Sequence, residues 1–157
     1  MELTVPAAAA SAETVAAALR AALEQGPEAF RGCLGSLYAD RVELRHEPAL
    51  SVDGPVDGRR LAETTEAEAA AITSALGDQH YGAGEVVVDG DTVTVRTSLE
   101  GSLPSGEAAS LPTHMICGVA DGRIAAITHQ MGPDAMQAWL RVAEAGGLVV
   151  GQPTERT

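Results

Sequence analysis

Apolar positions along this chain change their period several times, and each change marks a predicted element. From Ser11 to Gln25, Val15, Leu19 and Leu23 recur at helical spacing; Ser11 is placed to cap this helix and Glu13 suits its first turn. Gly26-Pro27 breaks the pattern, and Pro27 then opens a second helix to Tyr38 with Phe30, Leu34 and Leu37 inward. The period next drops to two. Val42, Leu44 and His46 alternate with Arg41, Glu43 and Arg45, which predicts a strand that ends at Pro48. A loop rich in Gly, Pro and Asp follows, from Ala49 to Asp57. Gly58 to Leu76 is an alanine-rich helix stopped by Gly77-Asp78.

The rest of the chain is strand until its last helix. Gln79 to Val88 is one strand weakened by Gly82 and Gly84, and Asp89-Gly90-Asp91 is a turn. Thr92 to Glu100 alternates Val93, Val95, Thr97 and Leu99 against Thr94, Arg96 and Ser98; Gly101 to Ala109 is a polar connection. Pro112 to Gly132 is a pair of strands around the tight turn Asp121-Gly122. Alternation puts His114, Ile116 and Gly118 on one face of the first strand, and Ile127, His129 and Met131 on one face of the second. A register that aligned those faces would set two imidazoles on one apolar wall. Gly132-Pro133-Asp134 starts a last helix with the stripe Met136, Trp139, Leu140 and Ala143, ended by Gly146-Gly147.

This order predicts an α+β fold, with helices packed on one side of a curved, mainly antiparallel sheet, and four strands in meander after the third helix. A strongly curved sheet closed by helices leaves a cone-shaped pocket, an α+β barrel in outline, and small-molecule sites favour such places. Length predicts a single domain over residues 11–146, with a loosely packed start at 1–10 and a flexible tail at 147–157.

Composition narrows the function. A chain of 157 residues that is 45% hydrophobic and 20% charged is that of a soluble globular protein. A net charge of −12 argues against nucleic acid and anionic membranes as partners, because both demand a positive field. At 3% aromatic, a stacking platform for bases is not expected. All ten basic residues are arginine, so Schiff-base and phosphate-loop lysines are excluded. Two cysteines, Cys33 and Cys117, make no disulfide framework or zinc spacing. The first residues lack a basic leader and apolar run, and no stretch approaches the ~20 apolar residues of a membrane span, so the expected compartment is the cytoplasm.

The segments YADRVELRHEP and THMICGVADGRIAAITHQMGPDAM, in this element order, resemble the nuclear transport factor two-like superfamily. That superfamily holds ketosteroid isomerases, SnoaL-like polyketide cyclases, limonene epoxide hydrolases and scytalone dehydratases, and the resemblance spans Ala12 to Ala143. Aligned on Tyr38-Ala39-Asp40, His46 falls where a ketosteroid isomerase keeps its aspartate base. Aligned on Pro112 and Gly132, His114 falls where it keeps a protonated aspartic acid, and His129 on a pocket-lining position. The isomerase's oxyanion tyrosine is replaced by Leu19. The resemblance therefore implies the cavity, without an organic cofactor, and pairing of two copies through the outer face of the sheet.

On this basis His46 and His114 are the candidate catalytic residues. Imidazole titrates near neutrality, so His46 suits a general base and His114 a donor to a developing oxyanion or a second acid/base. The plainer alternatives are a core histidine bonded to a carbonyl and a polar pocket residue. His129 positions substrate or sits at the mouth bonded to Asp134 or water. Tyr38, Val95, Thr97, Leu99, Ile116, Ile127, Met131 and Trp139 complete the expected lining. Three histidines would also suit a divalent metal, but they lack a local spacing motif and no metal is expected. Asp40 is read as a cap, His80 and Tyr81 as rim residues, Arg96 as exposed or at an interface, and Glu63 to Glu68 as a solvated helix face. Cys117 should face away from His114.

The expected function is general acid/base isomerisation, cyclisation or dehydration of a hydrophobic, polyketide-like or terpenoid-like carbonyl compound. The alternatives are a non-catalytic binding protein using the same pocket and an epoxide hydrolase-like enzyme; the second needs an aspartate-arginine-aspartate set that the sequence does not assemble.

Overall fold

A computed structural model describes residues 7–145, with side chains from Ser11 onward. The expected end of the last helix at Gly146-Gly147, and the calls on residues 1–6 and 147–157, lie outside the described residues. Within them are four helices: α1 (Ala7–Gln25), α2 (Pro27–Leu37), α3 (Gly58–Ala75) and α4 (Pro133–Ala145). Seven strands accompany them: β1 (Tyr38–Glu47), β2 (Gly54–Asp57), β3 (Gly77–Tyr81), β4 (Glu85–Asp89), β5 (Thr92–Ser102), β6 (Ala108–Ala120) and β7 (Arg123–Gln130).

Local chemistry explains most boundaries. Gly26 takes a φ of 114°, open to glycine at little cost, and Pro27 begins α2 where its missing N–H is not needed. The Asp57 carboxylate caps α3 by accepting the Arg60 N–H at 3.0 Å. Asp121 and Gly122 both have positive φ, 52° and 76°, as a two-residue hairpin turn with right-handed strand twist requires. Ser11 lies inside α1 rather than capping it, because the helix begins earlier, at Ala7; its hydroxyl instead accepts the Gly122 N–H, tying α1 to that turn.

One sheet runs β2-β1-β7-β6-β5-β3, with β4 also paired to β5. All pairings are antiparallel except β1 with β7. The sheet is curved but open, with β2 and β3 at its ends, so it does not close into a barrel. Two sequence expectations need correction here. The Gln79–Val88 strand is two strands, because the chain crosses Gly82 and Gly84 between them; a Cβ at Gly84 would come within 2.9 Å of the Thr97 hydroxyl. The Ala49–Asp57 loop contains β2, whose Val56 pairs with Val42.

Registers decide the two faces of the sheet. Leu44 lies opposite Ile127, Ile127 opposite Cys117, and Cys117 opposite Val93. That row is buried, and α1 packs on it through Val15, Ala16 and Leu19. Each fully buried side chain of this kind stabilises the fold by about 1.5–3 kcal/mol. A smaller apolar cluster joins Ile72 and Leu76 of the α3 end to Leu99, Leu111 and Val142. Along α4 the buried positions are Ala135, Val142 and Ala143, whereas Leu140, expected inward, is 42% exposed. Between the two clusters the inner face and the helices leave a cavity.

Candidate active site

The cavity has a volume of about 700 Å³, and Leu34, Leu44, Leu61, Leu111, Met115 and Trp139 give it apolar walls. Its polar groups gather in two places.

The first is at the end of β1. After Glu47 the backbone passes a cis Glu47–Pro48 peptide and loops back to β2, and Asp53, the loop residue just before that strand, lies against His46. The Asp53 carboxylate is held from three sides: it accepts the His46 N–H at 2.9 Å and the Leu50 N–H at 3.1 Å, and its other oxygen lies 2.5 Å from His46 Nδ1. Partial burial pushes Asp53 upward, but these hydrogen bonds from His46 and Leu50 outweigh it and leave the carboxyl below its ordinary value. A carboxylate at Nδ1 selects the tautomer with its proton there, leaving the Nε2 lone pair as the base. The pair is sheltered, with side chains 15% and 17% exposed.

His129 is opposite His46 on the neighbouring parallel strand, and the two rings stack with centroids 5.1 Å apart and planes 20° apart. Removal from water, then the proximity of His46 and Arg31, drive the His129 pKa down to about 3, with Asp53 opposing weakly. His129 is therefore a neutral imidazole under physiological conditions. It does not pair with Asp134.

The second polar group comes from helices. Arg31 of α2 and Glu68 of α3 line the cavity with their nearest atoms 3.4 Å apart. Desolvation raises the Glu68 carboxyl above its ordinary value against the opposing charges of Arg31 and His46. Tyr38 lines the same wall, its hydroxyl 3.4 Å from Thr65 and its pKa pushed up to about 12 by burial.

Among the residues picked from sequence, Tyr38, His46, Leu99, His129, Met131 and Trp139 meet around the cavity. His114 also borders the cavity, at its rim rather than beside His46. Its strand position pairs with Arg96, and its Nε2 accepts from the Arg96 guanidinium at 3.3 Å on the outer face, where Arg96 also pairs with Glu85 at 3.2 Å. Met115, opposite His129, is the β6 residue that faces inward there. Burial and then Arg96 lower the His114 pKa, with Glu47 opposing. Ile116 lies on the outer face for the same reason of register. Val95, Thr97 and Ile127 are inward but packed beneath the cavity rather than along it. The histidine triplet for a metal is thereby split by the sheet, and among the described residues no three His, Cys, Asp or Glu side chains cluster as ligands.

Sequence reasoning missed Asp53, Arg31 and Glu68. The clue to Asp53 was the Asp-Gly turn seven residues beyond His46, short enough to fold back. Arg31 precedes Leu34 by three residues, and Glu68 follows Thr65 by three and precedes Ile72 by four, so each shares an inward face. Glu68 is thus not part of a solvated face, unlike the exposed Glu63 and Glu66.

The model of the SnoaL-like domain family matches residues 15–127, well over half of the chain. This chain belongs to the SnoaL-like domain family. Solved structures of similar fold include a candidate SnoaL-like polyketide cyclase from Jannaschia sp. CCS1, 19% identical, covering 82% of this chain and 90% of that one with a TM-score of 0.52. BvnE pinacolase from Penicillium brevicompactum is 11% identical over 92% and 98% of the two chains, TM-score 0.56. TerC, co-crystallised with polyporic acid, is 17% identical over 83% and 98%, TM-score 0.53. No curated protein matches the chain. Membership of the SnoaL-like family and these likenesses account for the α+β architecture, and no helix among the described residues is long and apolar enough to cross a membrane. At these identities the chemistry must come from this chain's own residues.

Proposed function

We propose that this SnoaL-like protein is a small-molecule enzyme of the isomerase or cyclase type, acting by general acid/base catalysis on an apolar carbonyl compound. The observation that carries the reading is His46, held by Asp53, on the wall of an apolar cavity. His46 Nε2 takes a proton from the carbon beside the carbonyl, and the electron pair moves onto the carbonyl oxygen as an enolate. Asp53 holds the imidazole and stabilises the imidazolium so formed. Return of the proton to another carbon gives isomerisation; attack of the enolate on a second carbonyl, whose oxygen takes the proton back from the imidazolium, gives cyclisation; loss of a β-hydroxyl, protonated by the imidazolium, gives dehydration. His129, neutral and stacked on His46, fixes that ring. The apolar walls fit a polyketide-like or terpenoid-like skeleton.

Enolate formation is tested in heavy water with a panel of cyclic and polycyclic ketones, following loss of α-proton signals by NMR. The native protein is expected to exchange at least one ketone. His46→Ala should slow that exchange by about 10²-fold or more while binding persists. A panel whose members bind equally to the native protein and His46→Ala without exchange would establish the second reading, a non-catalytic binding protein; the mostly apolar lining favours that one. Pairing of two copies through the outer face of the sheet belongs to the same proposal. It is supported by the half-buried Ile116 and the exposed Val87, which share one row there through Thr94.

A further inference from the structure

Every described arginine is exposed except Arg31, whose side chain is drawn into the cavity and 18% exposed. It is a costly place for a guanidinium unless its charge is answered. The answer inside the protein is incomplete. Glu68, its one ion-pair partner among the described residues, is at 3.4 Å, long for a charge-assisted bond. Tyr81, which packs edge-on to Phe30 with centroids 5.6 Å apart, has its pKa pushed up by burial and held back by the nearby Arg31 charge, so it shares that guanidinium's surroundings. A guanidinium carries five N–H donors in a fork, so donor capacity remains facing the cavity. The Glu68 carboxyl is itself pushed towards its neutral form by desolvation. Arg31 is also close enough to depress His129, which places it within the same electrostatic neighbourhood as the His46–Asp53 pair.

We propose that Arg31 forms an anion subsite facing the His46–Asp53 pair, and that the ligand of this cavity is an apolar molecule bearing an ionised oxygen group, a carboxylate or an acidic enol. The chemistry argues for such a ligand over a neutral one. A chain of net charge −12 repels anions generally, so an anion enters only where a local cation is aimed at it. With no lysine in the chain, arginine is the residue left to do this, and its planar fork matches a delocalised pair of oxygens. Glu68 then acts as a placeholder, holding Arg31 in the empty cavity and yielding when a stronger acceptor arrives. This rests on the enzymatic reading only for what the cavity is used for; the subsite itself is a matter of binding.

The test is equilibrium binding to the whole chain at neutral pH, so it is independent of turnover. Trp139 is the single tryptophan and lines the cavity, so its fluorescence reports occupancy, with calorimetry as a second measure. The probes are matched pairs: 2-naphthoate against 2-naphthamide for the carboxylate, and 2-hydroxy-1,4-naphthoquinone against its methyl ether for the acidic enol. At least one acid is expected to bind about tenfold or more tighter than its neutral partner, and which pair does so distinguishes carboxylate from enol. Arg31→Met should remove that preference while leaving the neutral probe's affinity in place. Glu68→Gln, which frees the guanidinium, should strengthen acid binding, and it keeps the test open if Arg31→Met does not fold. Equal affinity within both pairs, no acid bound, or a Glu68→Gln protein that binds acids less well would overturn the subsite. Acids that bind through Arg31 to a protein that exchanges no ketone would leave the subsite standing and remove the enzyme.

Discussion

Asp53 has three hydrogen bonds to one turn and its other function is to set which nitrogen of His46 is free. Replacing it with Asn keeps the shape but removes the charge that selects the tautomer. Asp53→Asn is therefore expected to cut ketone exchange by about 10²-fold or more while ligand affinity changes little, measured as kcat against Kd. His129 gives a residue-scale prediction with a sign. Its folded pKa is about 3 against an ordinary value of 6.5. Between those values the unfolded chain binds a proton that the folded one refuses, so stability is full above about pH 6.5 and falls as pH drops towards 3. The slope approaches about 1.4 kcal/mol per pH unit. Glu68, raised by burial, has the opposite sign just above the usual carboxylate range, and Asp53 acts only in more acid solution. The difference between native and His129→Asn protein in urea titrations from pH 4 to 7 isolates the histidine; parallel curves would show that it is not neutral in the fold. Histidine 46 was legible because it stands on the apolar phase of a period-2 strand. Asp53 was not, because a loop residue has no phase.

At the scale of elements, most helices and strands could be read from period and punctuation. Those of α2, α3 and β5 match to within a residue or two, because Pro27, Asp57-Gly58 and the Asp89-Gly90-Asp91 turn are chemical stops. The misses share a cause. β2 is four residues long and β3 and β4 five each, too short for alternation to declare itself. Gly58 carries a sharper prediction. A Cβ added there would lie 1.8 Å from the Ala39 carbonyl oxygen, where α3 begins against the start of β1. Backbone cannot step aside as a side chain can, so Gly58→Ala should destabilise by about 3 kcal/mol or more, seen as a lower urea midpoint. Asp57→Ala, which only loses a cap, should cost about 1 kcal/mol.

The whole molecule is where the sheet's two faces acquire separate work. The inner one holds the core and cavity; the outer one carries the row Glu85, Arg96 and His114 beside Val87, Thr94 and Ile116. If that outer face joins two copies, Ile116→Glu should convert a dimer to a monomer in light scattering without disturbing the cavity, since Ile116 is across the sheet from it. A native protein that is monomeric at micromolar concentration would remove that proposal.

Taken alone, the order of residues determined the α+β class, the ends of α2 and α3 and the presence of histidine on apolar strand positions, because these depend on spacing within a few residues. It could not decide which of two strand faces turns inward. Period 2 assigns alternate residues to opposite faces and leaves the choice between them to the partner strands. Pairing Met115 with His129, and His129 with His46, made that choice and turned His114 towards Arg96 at the cavity's rim. The same folding brought Arg31 and Glu68 to the cavity that His46 faces and set Asp53 behind the His46 ring, because convergence of distant segments is a property of packing rather than of any local pattern.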